Sequence, residues 1–91
     1  MLKIKVHNRF KKDLKLMAKR GHDEEKLWQV VELLANETPL PPKNRDHALT
    51  GSYTGCRECH IEPDWLLVYE IQNEELVLIL IRTGSHSDLD F

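Results

Sequence analysis

The chain of 91 residues has no long hydrophobic run: its longest apolar stretch, Leu76-Val-Leu-Ile-Leu-Ile81, is six residues, far short of the roughly 18 that a membrane-spanning helix needs. The opening Met1-Leu-Lys-Ile-Lys5 alternates apolar and basic residues and lacks the continuous apolar core of a secretion signal. No membrane association is expected, and cytoplasm is the expected location. Glycine and proline are scarce, with four of each, which excludes collagen-like and low-complexity chains. Two cysteines are too few for a disulfide framework and, without an export signal, argue for reduced thiols. With 41% hydrophobic residues the chain reads as one folded domain, residues 1–91. Its core should be thin, because a chain this short buries only about 60–65% of the surface its unfolded form exposes.

Net charge is also small, −2, and by itself counts against a nucleic-acid binder. The total hides a split. Residues 1–20 carry eight Lys and Arg against Asp13 alone, whereas the remaining residues carry five basic side chains against fourteen acidic ones. A polyanion would meet one basic segment and repulsion elsewhere.

Leu2, Ile4 and Val6 alternate with lysines, the period of a half-buried strand. Asn8 can cap a helix whose apolar positions Phe10, Leu14, Met17 and Ala18 share one face, and Gly21 suits its exit. Asp23 opens a second helix with buried stripe Leu27, Val30, Val31, Leu34 and Ala35, widened by Trp28 and Leu33 and ending near Asn36. Pro39, Pro41 and Pro42 then enforce an extended connector, so residues 37–55 read as a long ordered loop with little regular structure. Three strands follow: Cys56–Glu62, a Pro63-Asp64 turn, Trp65–Ile71, a turn at 72–75, and Leu76–Arg82. The last two are nearly all apolar and belong in the middle of the sheet. The predicted fold is α+β, in the order β-α-α-β-β-β, with a small antiparallel-rich twisted sheet and two helices on one face.

Cys56-Arg-Glu-Cys59-His60 matches the short pattern for covalent haem attachment and half of a zinc knuckle. On a strand, however, side chains alternate, so the two cysteines face opposite ways and cannot hold one group. The same alternation puts Cys56, Glu58, His60 and Glu62 on one face. In an antiparallel meander the end of the second strand, the start of the third and the end of the fourth share one edge of the sheet. His60, Asp64 and His86 occupy those places, and Thr83-Gly84-Ser85 lets the chain turn His86 back over that edge. Arg57 and Arg82 are expected to pair with Glu62 or Glu70, or else to meet a phosphate.

Clustered imidazoles with a carboxylate suit two chemistries. One is a catalytic zinc site. The other is metal-free cleavage of RNA, in which a base takes the proton of a ribose 2′-hydroxyl and an acid protonates the leaving 5′-oxygen. Histidine suits both transfers, since its pKa near 6.5 leaves one copy neutral and another charged around neutrality.

Three segments resemble the RelE/ParE superfamily of type II toxins, and within it the YafQ-like messenger-RNA interferases: Lys43-Asn-Arg-Asp-His47-Ala-Leu-Thr-Gly51, Gly55-Cys-Arg-Glu-Cys-His60-Ile-Glu-Pro-Asp64-Trp65, and Arg82-Thr-Gly-Ser-His86-Ser-Asp-Leu89. The resemblance spans nearly the whole chain. It implies a RelE-like fold and a toxin that cuts messenger RNA in the ribosomal A site, held inactive by a cognate antitoxin. It also implies catalytic or substrate-positioning roles for His47, His60, Asp64 and His86, and no cofactor or metal. His60 and His86 are then the expected proton-transfer pair and Asp64 their orienter, with Lys43, His47 and Arg82 as phosphate or leaving-group contacts. A C-terminal aromatic that helps hold substrate would be Phe91, although here Asp90 intervenes after the leucine. The alternative within the superfamily is a non-catalytic, ParE-like toxin that grips DNA gyrase, which has no need of a histidine cluster.

Overall fold

The computed structural model describes residues 1–90; the expectation for Phe91 lies outside them. The elements run β1 (Lys3–Val6), α1 (Asn8–Lys19), α2 (Glu24–Ala35), a 3-10 turn at Pro42–Asn44, β2 (His47–Ala48), a second 3-10 turn at Gly51–Tyr53, β3 (Arg57–Glu62), β4 (Trp65–Gln72), β5 (Val77–Gly84) and α3 (His86–Leu89). The sheet order is β1-β5-β4-β3-β2. Among the described residues the β1–β5 pairing is parallel and the other three are antiparallel, and the two long apolar strands take the centre as expected.

The two long helices form where the apolar period placed them, with small corrections. His7, not Asn8, is the residue that precedes α1, and its side chain makes no capping bond. Gly21 leaves the helix at φ 89°, a conformation that glycine adopts without steric cost. Asp23 caps α2 by accepting from the Glu25 N–H at 3.0 Å. Trp28 stays more than a third exposed, its ring edge-on to Phe10.

Both helices cover one face of the sheet. There Phe10, Met17, Leu27, Val31, Trp65, Leu67, Tyr69, Leu78 and Leu80 form the main core, joined by Cys59. Asp13 is the exception on that helix face. It is nearly buried because its carboxylate receives Arg82 Nε at 2.6 Å, Arg82 Nη2 at 3.3 Å and the Thr83 N–H at 3.2 Å. Thr83 Oγ1 in turn accepts from Trp65 Nε1 at 2.9 Å and donates to the Leu66 carbonyl at 2.6 Å. Each buried polar group thus has a partner, as low-dielectric surroundings require. Arg82 therefore pairs with Asp13, and Arg57 with Asp46, instead of with Glu62 or Glu70.

The opposite face carries a smaller cluster of Leu66, Val68 and Leu89, with Leu49, Tyr53, Cys56 and Ile81 packed against it. It is covered by the connector, which has little regular structure as expected, and by α3, where the sequence reading needs a correction. The segment 37–55 contains a two-residue strand and two 3-10 turns. The chain after β5 winds into a short helix where only a turn was expected. Ser85 Oγ accepts the Asp88 N–H at 3.1 Å and Asp88 Oδ2 accepts the Ser85 N–H at 2.9 Å. That reciprocal pair is a capping box, with aspartate in place of the commoner glutamate. Among the described residues no helix is long and apolar enough to cross a membrane.

Candidate active site

Strand register brings the expected residues together. Glu58 and His60 lie opposite Val68 and Leu66 of β4, and Leu66 lies opposite Gly84 of β5. Cross-strand partners share a face, so Glu58 and His60 stand on the face away from the two long helices. Two residues beyond Gly84, His86 opens α3 and turns back over the same edge. On the other side His47 of β2 lies directly opposite Glu58.

The result is one continuous row. His47 Nε2 and His60 Nε2 both point at Glu58 Oε1, from 3.6 Å and 3.5 Å. The rings of His60 and His86 follow at 5.5 Å between centroids. His86 Nδ1 meets Asp64 Oδ1 at 2.6 Å, and the same oxygen accepts the His86 backbone N–H at 2.9 Å. Those backbone and side-chain bonds hold the Asp64 carboxyl below the usual carboxylate range. An ionised carboxylate can only accept, so Nδ1 of His86 carries a proton and Nε2 is left as the reactive nitrogen.

The other two rings are fixed by the same logic. His47 Nδ1 donates to the Arg45 carbonyl at 2.8 Å and His60 Nδ1 to the Pro63 carbonyl at 3.3 Å. Carbonyls accept only, so both rings present Nε2 to Glu58. When protonated, either forms an ion pair there. Exposure divides the row: the side chains of Glu58 and His60 are 6% and 11% exposed, those of His47 and His86 51% and 44%. The two outer imidazoles are thus open to solvent, and His60 borders a cleft.

Glu58 is the residue that sequence reasoning placed on the correct face but gave no role. Its carboxylate, 6% exposed, stands between the two imidazoles and fixes how far apart they sit. The signal was its i, i+2 spacing to His60; what was missing was His47, which reaches it across a β2–β3 pairing that two residues of strand cannot announce.

Support comes from both sides of the row. Arg20, at the end of α1, donates to Asp88 at 2.6 Å and 3.2 Å and so ties α3 to the body of the protein. Gly84 makes this fit possible, because a Cβ there would lie 2.9 Å from the Asp88 Cβ. Asn44 Nδ2 donates to the His60 carbonyl at 2.7 Å from the connector. Lys43 stands beside Asn44 on the rim of a cleft that His60 lines. Arg82 stands apart from the row in its bonding, held by Asp13.

No shared metal or haem position involves the cysteines. Cys59 packs under the helices, where burial pushes its thiol well up, and Cys56 packs on the opposite face. Among the described residues no three His, Cys, Asp or Glu side chains are arranged to hold a metal ion.

The family model described as the bacterial toxin of the type II toxin-antitoxin system, YafQ, matches residues 2–90. The mRNA interferase toxin YafQ of Escherichia coli K12 is 42% identical over 87 residues, covering 94% of this chain and 92% of that protein. A metal-bound toxin from Helicobacter pylori is 50% identical and superposes with a TM-score of 0.92, over 98% of this chain and 99% of that one. YafQ in the Escherichia coli DinJ-YafQ complex is 40% identical with a TM-score of 0.88, over 98% of each chain.

Proposed function

The chain belongs to the YafQ family of toxins of type II toxin-antitoxin systems, and from that premise we propose that it is a ribosome-dependent endoribonuclease that cleaves messenger RNA by histidine acid–base chemistry. The observation that carries this reading is the row His47–Glu58–His60–His86–Asp64. In the proposed reaction one imidazole, neutral at Nε2, removes the 2′-hydroxyl proton. The 2′-oxygen forms a bond to phosphorus as the bond to the 5′-oxygen breaks. A second, charged imidazole gives its proton to the leaving oxygen, and the products are a 2′,3′-cyclic phosphate and a 5′-hydroxyl. His60 and His86 are the proposed pair. Asp64 orients His86 in the manner of other carboxylate–histidine couples. Glu58 stands between Nε2 of His47 and Nε2 of His60 and holds their spacing, and His47, Lys43 and Phe91 contact substrate, while Arg82 is taken up by Asp13.

This route needs no metal, since the imidazoles supply both proton transfers. Family membership and the histidine row both weigh for a nuclease over the gyrase-binding alternative. The proposed setting is the cytoplasm, with a cognate antitoxin that covers basic α1 or the sheet edge through acidic segments. Binding of that kind also stabilises a thin-cored toxin by mass action.

The test is cleavage of a defined messenger RNA with and without ribosomes. Cutting only on the ribosome, unchanged by strong chelators, and loss of cutting in His60→Ala and His86→Ala are expected. Full activity of both variants would end the reading.

A further inference from the structure

Beyond Arg20 the chain has five cations, and three of them are neutralised. Lys26 holds Glu62 at 2.9 Å, Arg57 holds Asp46 at 3.0 Å and Arg82 holds Asp13 at 2.6 Å. Lys43 and Arg45 are the two that no carboxylate pairs among the described residues. They stand at one place, on the rim of a cleft of about 470 Å³ that His60, Ile61 and Pro63 also line. That volume falls within the roughly 300–1,000 Å³ typical of small-ligand sites. Glu62 also lines the cleft, but both its oxygens are engaged, by His22 and Lys26.

The rim is built to a fixed register with the histidines. Asn44, between the two cations, is buried and bonded to the His60 carbonyl. The Arg45 carbonyl holds the His47 ring. Arg45 itself adopts φ 46°, ψ 45°, the left-handed region where glycine or asparagine is usual and arginine is uncommon. The backbone there favours another residue, and the guanidinium is what arginine adds.

We propose that Lys43 and Arg45 form a phosphate subsite that binds the RNA strand next to the scissile bond, with the flanking nucleotide in the cleft between them and His60. This rests on the endoribonuclease reading and adds Arg45 and a place for the flanking nucleotide to it. Arg45 suits a phosphate because its planar fork gives two parallel hydrogen bonds, and Lys43 adds a point charge. The subsite holds substrate and leaves the proton transfers to the histidine row.

Arg45→Asn is the discriminating variant, since asparagine tolerates the left-handed backbone. With ribosome-bound messenger RNA, Arg45→Asn and Lys43→Gln should each raise KM about 5- to 10-fold, leave kcat within about twofold, and Arg45→Lys should recover much of the loss. Affinity for a short RNA blocked by 2′-O-methyl at the cut position should fall alike, with the salt slope reduced by about 0.7 per lost phosphate contact. Neutral methylphosphonates introduced one at a time beside the cut should include one position that weakens the native protein as much as Arg45→Asn does, and weakens Arg45→Asn no further. Native KM, native RNA affinity and an unchanged salt slope in both variants would overturn the subsite. Absence of cleavage by the unaltered protein would instead overturn the nuclease reading, and the blocked RNA still tests the subsite by binding.

Discussion

The two faces of the sheet use the same strands for opposite purposes. Under α1 and α2, residues such as Trp65, Leu67, Leu78 and Leu80 are fully buried, and the one charged intruder, Asp13, has all its bonds made inside the protein. Over the other face, a connector of 3-10 turns and a four-residue helix cover only part of the strands and leave imidazoles open to solvent. The first face supplies stability through buried apolar area. The second buries a smaller cluster, Leu66, Val68 and Leu89, and carries the polar row proposed to meet substrate. Substitutions on the two faces should therefore separate cleanly, activity without stability on one and stability without chemistry on the other.

The largest separation is expected at the proposed proton-transfer pair. His60→Ala and His86→Ala should each slow cleavage by about 10²- to 10⁴-fold, with thermal unfolding close to native. A large drop in melting temperature for both would show that the open face is part of the core after all. Phe10→Ala is the converse, costing about 3–5 kcal/mol in urea melts while the folded fraction keeps native kcat. The bridge between faces is Asp13, whose loss strands the Arg82 guanidinium and the Thr83 N–H. Asp13→Ala should cost about 1–3 kcal/mol, and because Thr83 leads into α3 it should also lower kcat. A purely thermodynamic effect would cut the proposed link between the faces.

Acid should reach the α3 tether late. The Asp88 carboxyl is held well below the usual carboxylate range by the Arg20 side chain and then the Ser85 N–H. A carboxylate depressed in the folded state contributes stability that is complete above its unfolded pKa, about 3.9, and is lost as pH falls through the lower folded value. The stability gap between native protein and Asp88→Asn should thus be widest above about pH 4 and close in stronger acid, as followed by urea melts across that range. A gap that widens on acidification would contradict the assignment. Smallest of all, Asp23→Ala should remove the α2 cap for about 1 kcal/mol without touching cleavage.

Much of this contrast is legible in the sequence. Period-2 and period-3.6 apolar patterns name the helices and the central strands because burial on the covered face dictates them. The convergence of His60, Asp64 and His86 follows from meander topology. What escaped reading lies where geometry depends on distant partners. Asp13 looks like a solvent-facing helix residue until β5 brings Arg82 to it. The Ser85–Asp88 capping box has an aspartate where the signature expects glutamate, so α3 read as a turn. β2 is too short to show a period, and with it went the His47–Glu58 contact that turns a cluster of three residues into a row of five.

The first act proposed for that row is removal of the ribose 2′-hydroxyl proton. The direct measurement replaces the nucleotide at the cut position by its 2′-deoxy form in a ribosome-bound messenger RNA and follows cleavage there. The account predicts that cutting at that position stops while the modified message still competes for the protein as well as the unmodified one. Equal cleavage of both would contradict it.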